Sequence, residues 1–251
     1  MSVNCIVFRF PALPGVCCAF QTRGNSAGDT AFAGNISFSV GDDADRVRAN
    51  RQELLDHLRP YGLESWAELQ QVHGDGFIVE PERVSCAAEP KTEGDGMATT
   101  RPGQGLLIKT ADCQPILLAH KGGRHVAALH AGWRGNRCNF PLTAVARFCE
   151  RYDLRPADLV AVRGPSLGPE RAEFINFERE WGEDFRPWFD PASKTMDLWG
   201  LTRSQLQEAG LPARQIYGLD LCTMSNHEHF FSYRQSRQTG RQASLIWICP
   251  E

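Results

Sequence analysis

The chain has 251 residues, enough for one large domain or two small ones with a hydrophobic core. Apolar residues make up 42% and charged residues 23% of the sequence, which is typical of a soluble globular protein. The formal net charge is -3, like charges form no block, and no apolar run reaches the ~20 residues of a membrane helix. Neither a nucleic acid nor a membrane is therefore an expected partner.

The nine cysteines are scattered, odd in number and free of CxxC pairs. In an oxidising compartment at least one thiol would stay unpaired, so a reducing cytoplasm is the expected location. The sequence contains no internal repeat, low-complexity tract or obvious linker. We therefore expect residues 1–251 to form a single domain, as a monomer or a weak homo-oligomer.

Short runs rich in Val, Ile, Leu and Phe, each bounded by Gly, Pro or charged residues, predict eight strands. These strands cover residues 4–10, 16–20, 76–80, 105–110, 115–119, 125–130, 159–163 and 243–248.

Helical patterns fall between the clusters of strands. They predict helices over 44–59, after the possible caps Asp42 and Asp43, over 140–152, over about 173–189, and over 198–209, after Asp197. Clustered strands with helices between the clusters indicate an α+β domain with mixed sheets rather than a doubly wound parallel sheet. The sequence has neither a P-loop nor a complete dinucleotide-binding glycine pattern, so ATP and NAD are not expected ligands.

Three segments carry metal-ligand side chains where apolar strands begin or end. His73 lies in the segment QVHG, Cys113 in KTADCQP and His130 in ALHAGWRG. Neighbouring strand ends converge in space, so the loops there can build one site. Two imidazoles and one thiolate bind zinc tetrahedrally and leave the fourth position open, as in catalytic zinc sites, where the metal activates water near neutral pH.

These segments resemble the signature blocks of the laccase-domain family, whose members are also called polyphenol oxidase-like proteins, peptidoglycan editing factors or purine nucleoside phosphorylases. The resemblance rests mainly on QVHG, EGDGMATTRPGQGLLIKTADCQPILL and ALHAGWRG. Further similar blocks follow in order along nearly the whole chain, at 34–37, 40–43, 50–51, 164–169, 231–234 and 239–241. The segment 170–174 departs from the family pattern.

The resemblance implies a zinc site formed by His73, Cys113 and His130, in an α+β sandwich resembling bacterial cysteine deamidase toxins. It also implies phosphorolysis of adenosine, inosine, guanosine and methylthioadenosine, and deamination of adenosine. The expected partners are then a purine nucleoside and phosphate, and the expected cofactor is zinc, with copper as an adventitious substitute.

Several other residues of these blocks are candidates for the same site. Asp112, beside Cys113, is the candidate proton carrier or the holder of a ligand histidine, provided that its segment forms a turn rather than a strand. Arginines offer bidentate contacts to phosphate, and Asn35 is a further candidate for substrate binding. The candidate arginines are Arg51, Arg134, Arg234 and Arg241.

There are three alternative functions for these residues. A copper laccase needs histidines for both a blue copper site and a trinuclear cluster, and the seven histidines are too few for both, so copper oxidation is not the expected reaction. A metal-free amidase or deamidase acting in peptidoglycan precursor editing would use Cys113 as a thiolate activated by His73 or His130. A binding module would carry the same metal as a structural ion with its fourth position closed.

Overall fold

The computed structural model describes residues 3–24 and 31–250, which fold into strands and helices that form one α+β unit. The strands are β1 (Asn4–Phe10), β2 (Leu13–Thr22), β3 (Ser65–Glu68), β4 (Phe77–Val79), β5 (Gly96–Thr99), β6 (Gln104–Thr110), β7 (Gln114–His120), β8 (Val126–Ala131), β9 (Leu159–Arg163), β10 (Phe189–Asp190), β11 (Thr195–Met196), β12 (Ile216–Gly218) and β13 (Gln242–Ile248). The α-helices are α1 (Ala44–Leu58), α2 (Trp133–Arg137), α3 (Phe140–Tyr152), α4 (Phe177–Glu180) and α5 (Leu198–Glu208).

Two mixed sheets form the centre of the fold. The five-stranded sheet has the order β1-β2-β13-β6-β3, and the six-stranded sheet has the order β12-β9-β7-β8-β5-β4. The pairs β3/β6, β4/β5 and β12/β9 are parallel, and the other neighbours are antiparallel. Strands β10 and β11 form a separate small hairpin.

Three apolar clusters show that the sheets are stacked and covered by helices. Ile108 of β6, Leu117 of β7 and Ile246 of β13 belong to the cluster between the two sheets. A second cluster joins the six-stranded sheet to α3 and α5, and a third joins the five-stranded sheet to α1. The central strands are thus buried on both faces, which explains why they occur in the sequence as continuous apolar runs.

The structure confirms the eight predicted strands and three of the four predicted helices, with shifts of up to a few residues at their ends. The first helix begins after Asp43, whose side chain accepts a hydrogen bond of 2.9 Å from the backbone N–H of Arg46. The fourth helix begins after Asp197, which accepts from the backbone N–H of Gly200 at 2.8 Å.

The predicted helix over 173–189 is wrong. The α-helical part is only Phe177–Glu180, followed by a 3₁₀ segment at Glu183–Trp188. Gly182, between them, has a φ of 98°, a conformation that is incompatible with an α-helix and that glycine adopts more readily than other residues. The near-helical spacing of the aromatic residues here reflects a compact irregular cluster around Trp181.

Short strands without apolar periodicity were not predicted. The sequences SWAE of β3, GMAT of β5 and IYG of β12 are three or four residues long and owe their strand conformation to pairing with longer neighbours. Within residues 3–24 and 31–250, no helix is both long and apolar enough to cross a membrane.

Candidate metal centre

Three separate connections bring His73, Cys113 and His130 together, and we refer to these residues as the His/Cys cluster. His73 lies between β3 and β4, Cys113 lies in the bend between β6 and β7, and His130 lies near the end of β8. Their potential ligand atoms are all within 4.8 Å of one another, and the two imidazole rings are 4.8 Å apart between centroids. The sequence-based prediction that these strand ends converge is therefore correct.

The space around the cluster suits a metal ion bound by these three side chains. A Cβ atom at Gly132 would lie 2.9 Å from Cys113 Sγ and 3.2 Å from His73 Cδ2. Only glycine at position 132 leaves room for the ligands to sit side by side. One thiolate and two imidazoles are also a donor set that matches zinc, with one coordination position left for water or substrate.

Asp95, which the sequence analysis did not assign, holds both histidine segments. Its buried carboxylate accepts hydrogen bonds from the backbone N–H groups of His73 and Gly74, at 3.0 and 2.7 Å, and a longer one from Val72 at 3.3 Å. The same carboxylate is 2.7 Å from Nδ1 of His130, and the Asp95 carbonyl accepts from the backbone N–H of His130 at 2.6 Å. Asp95 thus fixes His73 through its backbone and His130 through its ring.

The contact with Asp95 also determines which ring nitrogen of His130 faces the cluster. Because Nδ1 is engaged by the carboxylate, Nε2 is the nitrogen available to a metal. The φ of His73 is 60°, an unusual conformation for a non-glycine residue, and the hydrogen bond from its backbone N–H to Asp95 helps to hold it.

The charges of the cluster stabilise one another without a metal. Burial disfavours the Cys113 thiolate, but the charges and hydrogen bonds of His130 and His73 outweigh this effect and lower the pKa of Cys113 to about 6. Burial likewise disfavours the imidazolium of His130, but Cys113 and Asp95 outweigh it and raise the pKa of His130 to about 9. Burial alone would raise the pKa of Asp95. Its contacts with His130 and with the backbone N–H groups of Gly74 and His73 have a larger effect in the opposite direction, so the pKa of Asp95 is lowered.

The cluster opens into a cavity of about 750 Å³. Aromatic side chains and cations line this cavity together with the His/Cys cluster, so it offers both flat apolar surfaces and positive charge. The aromatic residues are Trp133, Phe174 and Tyr233, and the cations are Lys109, Arg134, Arg234 and Arg241. Such a combination suits a ligand with a flat ring system and an anionic group.

Asp112 lies in the bend between β6 and β7, with a φ of 96°, so its segment is not a strand. It lines the cavity, but its carboxylate accepts hydrogen bonds from Thr223 Oγ1 at 2.8 Å and from the backbone N–H of Arg234 at 2.7 Å. It forms no hydrogen bond with His73 or His130. The alternative role of holding a ligand histidine is therefore wrong for Asp112, and the structure gives that position to Asp95.

Of the four candidate arginines, Arg51 is the one that does not line the cavity. Its side chain is fully buried, forms an ion pair with Glu68 and donates to the carbonyl groups of Ile36 and Cys86. A guanidinium with these partners stabilises the packing of α1 and is not available to a substrate. The expectation that Arg51 binds phosphate does not agree with this position.

Asn35 is also structural. Its amide is fully buried, donates to the carbonyl of Ser37 and to the carboxylate of Asp42, and accepts from the backbone N–H of Arg241 at 2.8 Å. It does not line the cavity, which contradicts its expected role in substrate binding. Asn35 instead supports the backbone that carries Arg241.

The remaining arginines face the cavity in different ways. Arg134 lies 4.4 Å from the centroid of the Trp133 ring and donates no hydrogen bond within the described part of the chain. Arg234 donates to the carbonyl of Glu173 and lies over the ring of Phe174. The segment 170–174 thus reaches the cavity through Phe174, although its sequence departs from the family pattern.

Comparisons with known proteins agree with this fold. The family model described as multi-copper polyphenol oxidoreductase laccase matches residues 17–249. A purine nucleoside phosphorylase of Xylella fastidiosa is 35% identical and aligns over 97% of this chain and 96% of that protein. The purine nucleoside phosphorylase YfiH of Escherichia coli is 31% identical over 97% of this chain and 98% of that protein.

Solved structures show the same architecture. YlmD from Geobacillus stearothermophilus superposes with a TM-score of 0.81 at 27% identity, covering 96% of this chain and 94% of that chain. Neisseria meningitidis protein NMB0706 superposes with a TM-score of 0.82 at 26% identity, covering 98% of this chain and 100% of that chain. The matched sequence blocks and the shared fold extend over nearly the whole protein, and the chain therefore belongs to the laccase-domain family.

Proposed function

We propose that this protein is a zinc-dependent purine nucleoside phosphorylase that accepts adenosine, inosine, guanosine and methylthioadenosine and also deaminates adenosine. The observation that carries the proposal is the position of the His/Cys cluster in the same cavity as an aromatic surface and three arginines. Relatives named purine nucleoside phosphorylase, similar over their whole length, support it. Copper would occupy the same three ligands only as an adventitious substitute.

In phosphorolysis, a phosphate oxygen attacks the anomeric carbon of the ribose while the bond to the purine breaks and the purine leaves with a proton. Arg134, Arg234 and Arg241 would hold the phosphate and neutralise its charge. The purine would lie against Trp133 and Phe174, which form an apolar surface beside these cations. Asp112, which lines the cavity, would pass the proton released by the attacking phosphate to the leaving purine.

In deamination, water replaces the exocyclic amine of adenosine and ammonia leaves. Bound zinc would supply Lewis-acid activation, and His73, Cys113 and His130 would hold it. Asp95 would keep His130 in the orientation that presents Nε2, and Asp112 would carry a proton between the incoming water and the leaving amine. Both activities would therefore use one site with different nucleophiles.

The test is product analysis with zinc-loaded protein. Adenosine, inosine and methylthioadenosine are incubated separately, with and without phosphate. We expect free base and a pentose 1-phosphate only with phosphate, and inosine from adenosine without it. Loss of both reactions in Cys113→Ala, with the fold retained, is also expected. If no nucleoside is converted by a preparation shown to contain one zinc per chain, the proposal is wrong.

A second candidate is favoured by one observation, the position of Cys113 Sγ within 4.8 Å of an imidazole nitrogen of both His73 and His130. A thiolate beside an imidazolium is the arrangement of a cysteine amidase or deamidase. The two functions respond oppositely to metal. Chelation should abolish nucleoside turnover in a zinc enzyme, whereas it should preserve or increase amide hydrolysis in a thiolate enzyme, and iodoacetamide labelling of Cys113 should abolish that hydrolysis.

A further inference from the structure

A second pair of reactive groups lies far from the cavity. The Sγ atoms of Cys17 in β2 and Cys249 just after β13 are 2.9 Å apart. Trp247 is the direct partner of Cys17 across the two strands, so Cys249 is its diagonal neighbour, and the backbone N–H of Cys249 donates to Gly15 at 2.8 Å. The sheet therefore fixes the separation of the two thiols.

The pair is at the opposite end of β13 from the cavity. Gln242, at the start of β13, pairs with Thr110, which lines the cavity, whereas Ile248 at the other end pairs with Val16. A strand of seven residues spans roughly 20 Å, so changes at the thiols do not reach the His/Cys cluster through direct contact.

The two thiols differ in accessibility. Cys17 is 1% exposed and lies in the apolar cluster beneath α1, where burial, and secondarily the neighbouring Cys249, raises its pKa to about 12. Cys249 is partly exposed, and the guanidinium of Arg9 donates to its Sγ at 3.1 Å. An external reagent therefore reacts first at Cys249.

We propose that Cys17 and Cys249 form a thiol–disulfide exchange site for small-molecule disulfides such as oxidised glutathione. Cys249 loses its proton to solvent and attacks one sulfur of the reagent, which breaks the reagent S–S bond, releases one reagent thiolate and leaves a mixed disulfide on Cys249. Cys17 then loses its proton to solvent and attacks the Cys249 sulfur, which releases the second reagent thiolate. Two protein thiols are oxidised to one disulfide, and the reagent disulfide is reduced to two thiols.

The geometry favours this second step over a lasting mixed disulfide. A disulfide needs a sulfur separation of about 2.05 Å, so the two sulfur atoms must approach by only about 0.9 Å. The bond would connect a strand near the start of the chain to one near its end, closing a very long loop. It should therefore raise the melting temperature by about 4–16 °C, without affecting the cavity.

The test combines intact mass with peptide mapping after incubation in oxidised glutathione. We expect a loss of about 2 Da, reversed by dithiothreitol, and a link between the tryptic peptides that contain Cys17 and Cys249. Because the first peptide also contains Cys18, the mapping is repeated with Cys18→Ala, which should form the same link. Cys138→Ser serves as a second control, since Cys138 is exposed and should at most accept a mixed disulfide in the original protein.

Cys249→Ser should lose both the mass change and the increase in melting temperature, and Cys17→Ser, if it folds, should stop at a mixed disulfide on Cys249. A link that requires Cys18 would overturn the proposal. A stable glutathione adduct on Cys249 in the original protein, or no reaction there when Cys138 is fully modified, would overturn it as well. None of these outcomes depends on the activity at the His/Cys cluster.

Discussion

At the scale of single residues, Asp95 has the largest expected effect on metal binding without being a ligand. We expect Asp95→Asn to weaken zinc binding by roughly 10–100-fold, because the amide cannot accept from His130 and the loop of His73 as a carboxylate does. Competition with a chromophoric chelator measures the affinity. Asp75→Asn is the matched control, since Asp75 lies in the same loop and its side chain is 62% exposed. Equal zinc affinity in both variants would contradict the role of Asp95.

The protonation states of Cys113 and His130 should make the affinity for zinc depend on pH. Between about pH 6 and pH 9 the metal-free chain holds a Cys113 thiolate and a His130 imidazolium, and zinc can bind only after His130 loses a proton. The apparent affinity should therefore rise about tenfold per pH unit from pH 7 to pH 8.5 and level off above pH 9. Calorimetry in buffers of different ionisation enthalpy counts the released protons, and a pH-independent affinity in this range would contradict the assignment.

Arg51 and Arg134 come from the same kind of sequence block but should respond differently to substitution. Arg51→Ala should lower the free energy of unfolding by about 3 kcal/mol, because it removes one of the two cations that pair with the buried Glu68 in the described part of the chain and leaves Lys109. Arg134→Ala should leave stability unchanged and raise the phosphate KM, because its guanidinium faces the cavity. Denaturant unfolding and phosphate-dependent kinetics measure the two effects, and a reversal of the pattern would refute the distinction.

At the scale of elements, the junction between β8 and α2 determines whether the side chains of His73 and Cys113 have room to lie side by side. Gly132→Ala should reduce zinc binding strongly while the protein stays folded, because the new methyl group would contact Cys113 Sγ. Gly135→Ala is the control, since a Cβ atom there has no neighbour closer than 3.8 Å and the residue is in a helix. Elemental analysis gives the zinc content of each variant. Full zinc occupancy in Gly132→Ala would show that the junction is more adaptable than its contacts indicate.

The elements also show why part of the site could be found in the sequence. Cys113 lies between β6 and β7 and His130 near the end of β8, and these strands of six or seven residues produce visible apolar runs. His73 precedes the shorter apolar run predicted over 76–80. Asp95 directly precedes β5, whose four residues GMAT carry no such signal. Its role depends on β5 pairing with β8, a contact between distant parts of the chain. The only local indication was an acidic residue between Gly94 and Gly96, within a block quoted for the family resemblance.

Arg51 and Asn35 show the opposite error. Their position in blocks that resemble the family pattern suggested substrate binding, but both side chains are occupied by internal partners. Burial of an arginine or an asparagine cannot be read from a single sequence, because it depends on which helix and loop cover it. The helix predicted over 173–189 failed for a related reason, since the sequence alone does not show that Gly182 takes a positive φ.

At the scale of the whole molecule, the metal is expected to contribute little to folding. The three apolar clusters extend through both sheets and across α1, α3 and α5, and the His/Cys cluster lies outside them. Removal of zinc by a chelator should therefore abolish nucleoside turnover and leave the far-ultraviolet circular dichroism and cooperative thermal unfolding intact. His130→Ala should behave in the same way. An unfolded metal-free protein at room temperature would show that the ion is structural.

The position of β13 has a consequence for how this protein is made. β13 lies between β2 and β6 in the five-stranded sheet, yet it begins 220 residues after β2 ends. At 5–20 residues per second, a ribosome needs about 10–40 s to synthesise that interval. During this time the edge of β2 that later pairs with β13, which includes Val16 and Phe20, has no partner strand. The nascent chain therefore exposes an unpaired strand edge that invites aggregation, and it should need a chaperone until β13 emerges.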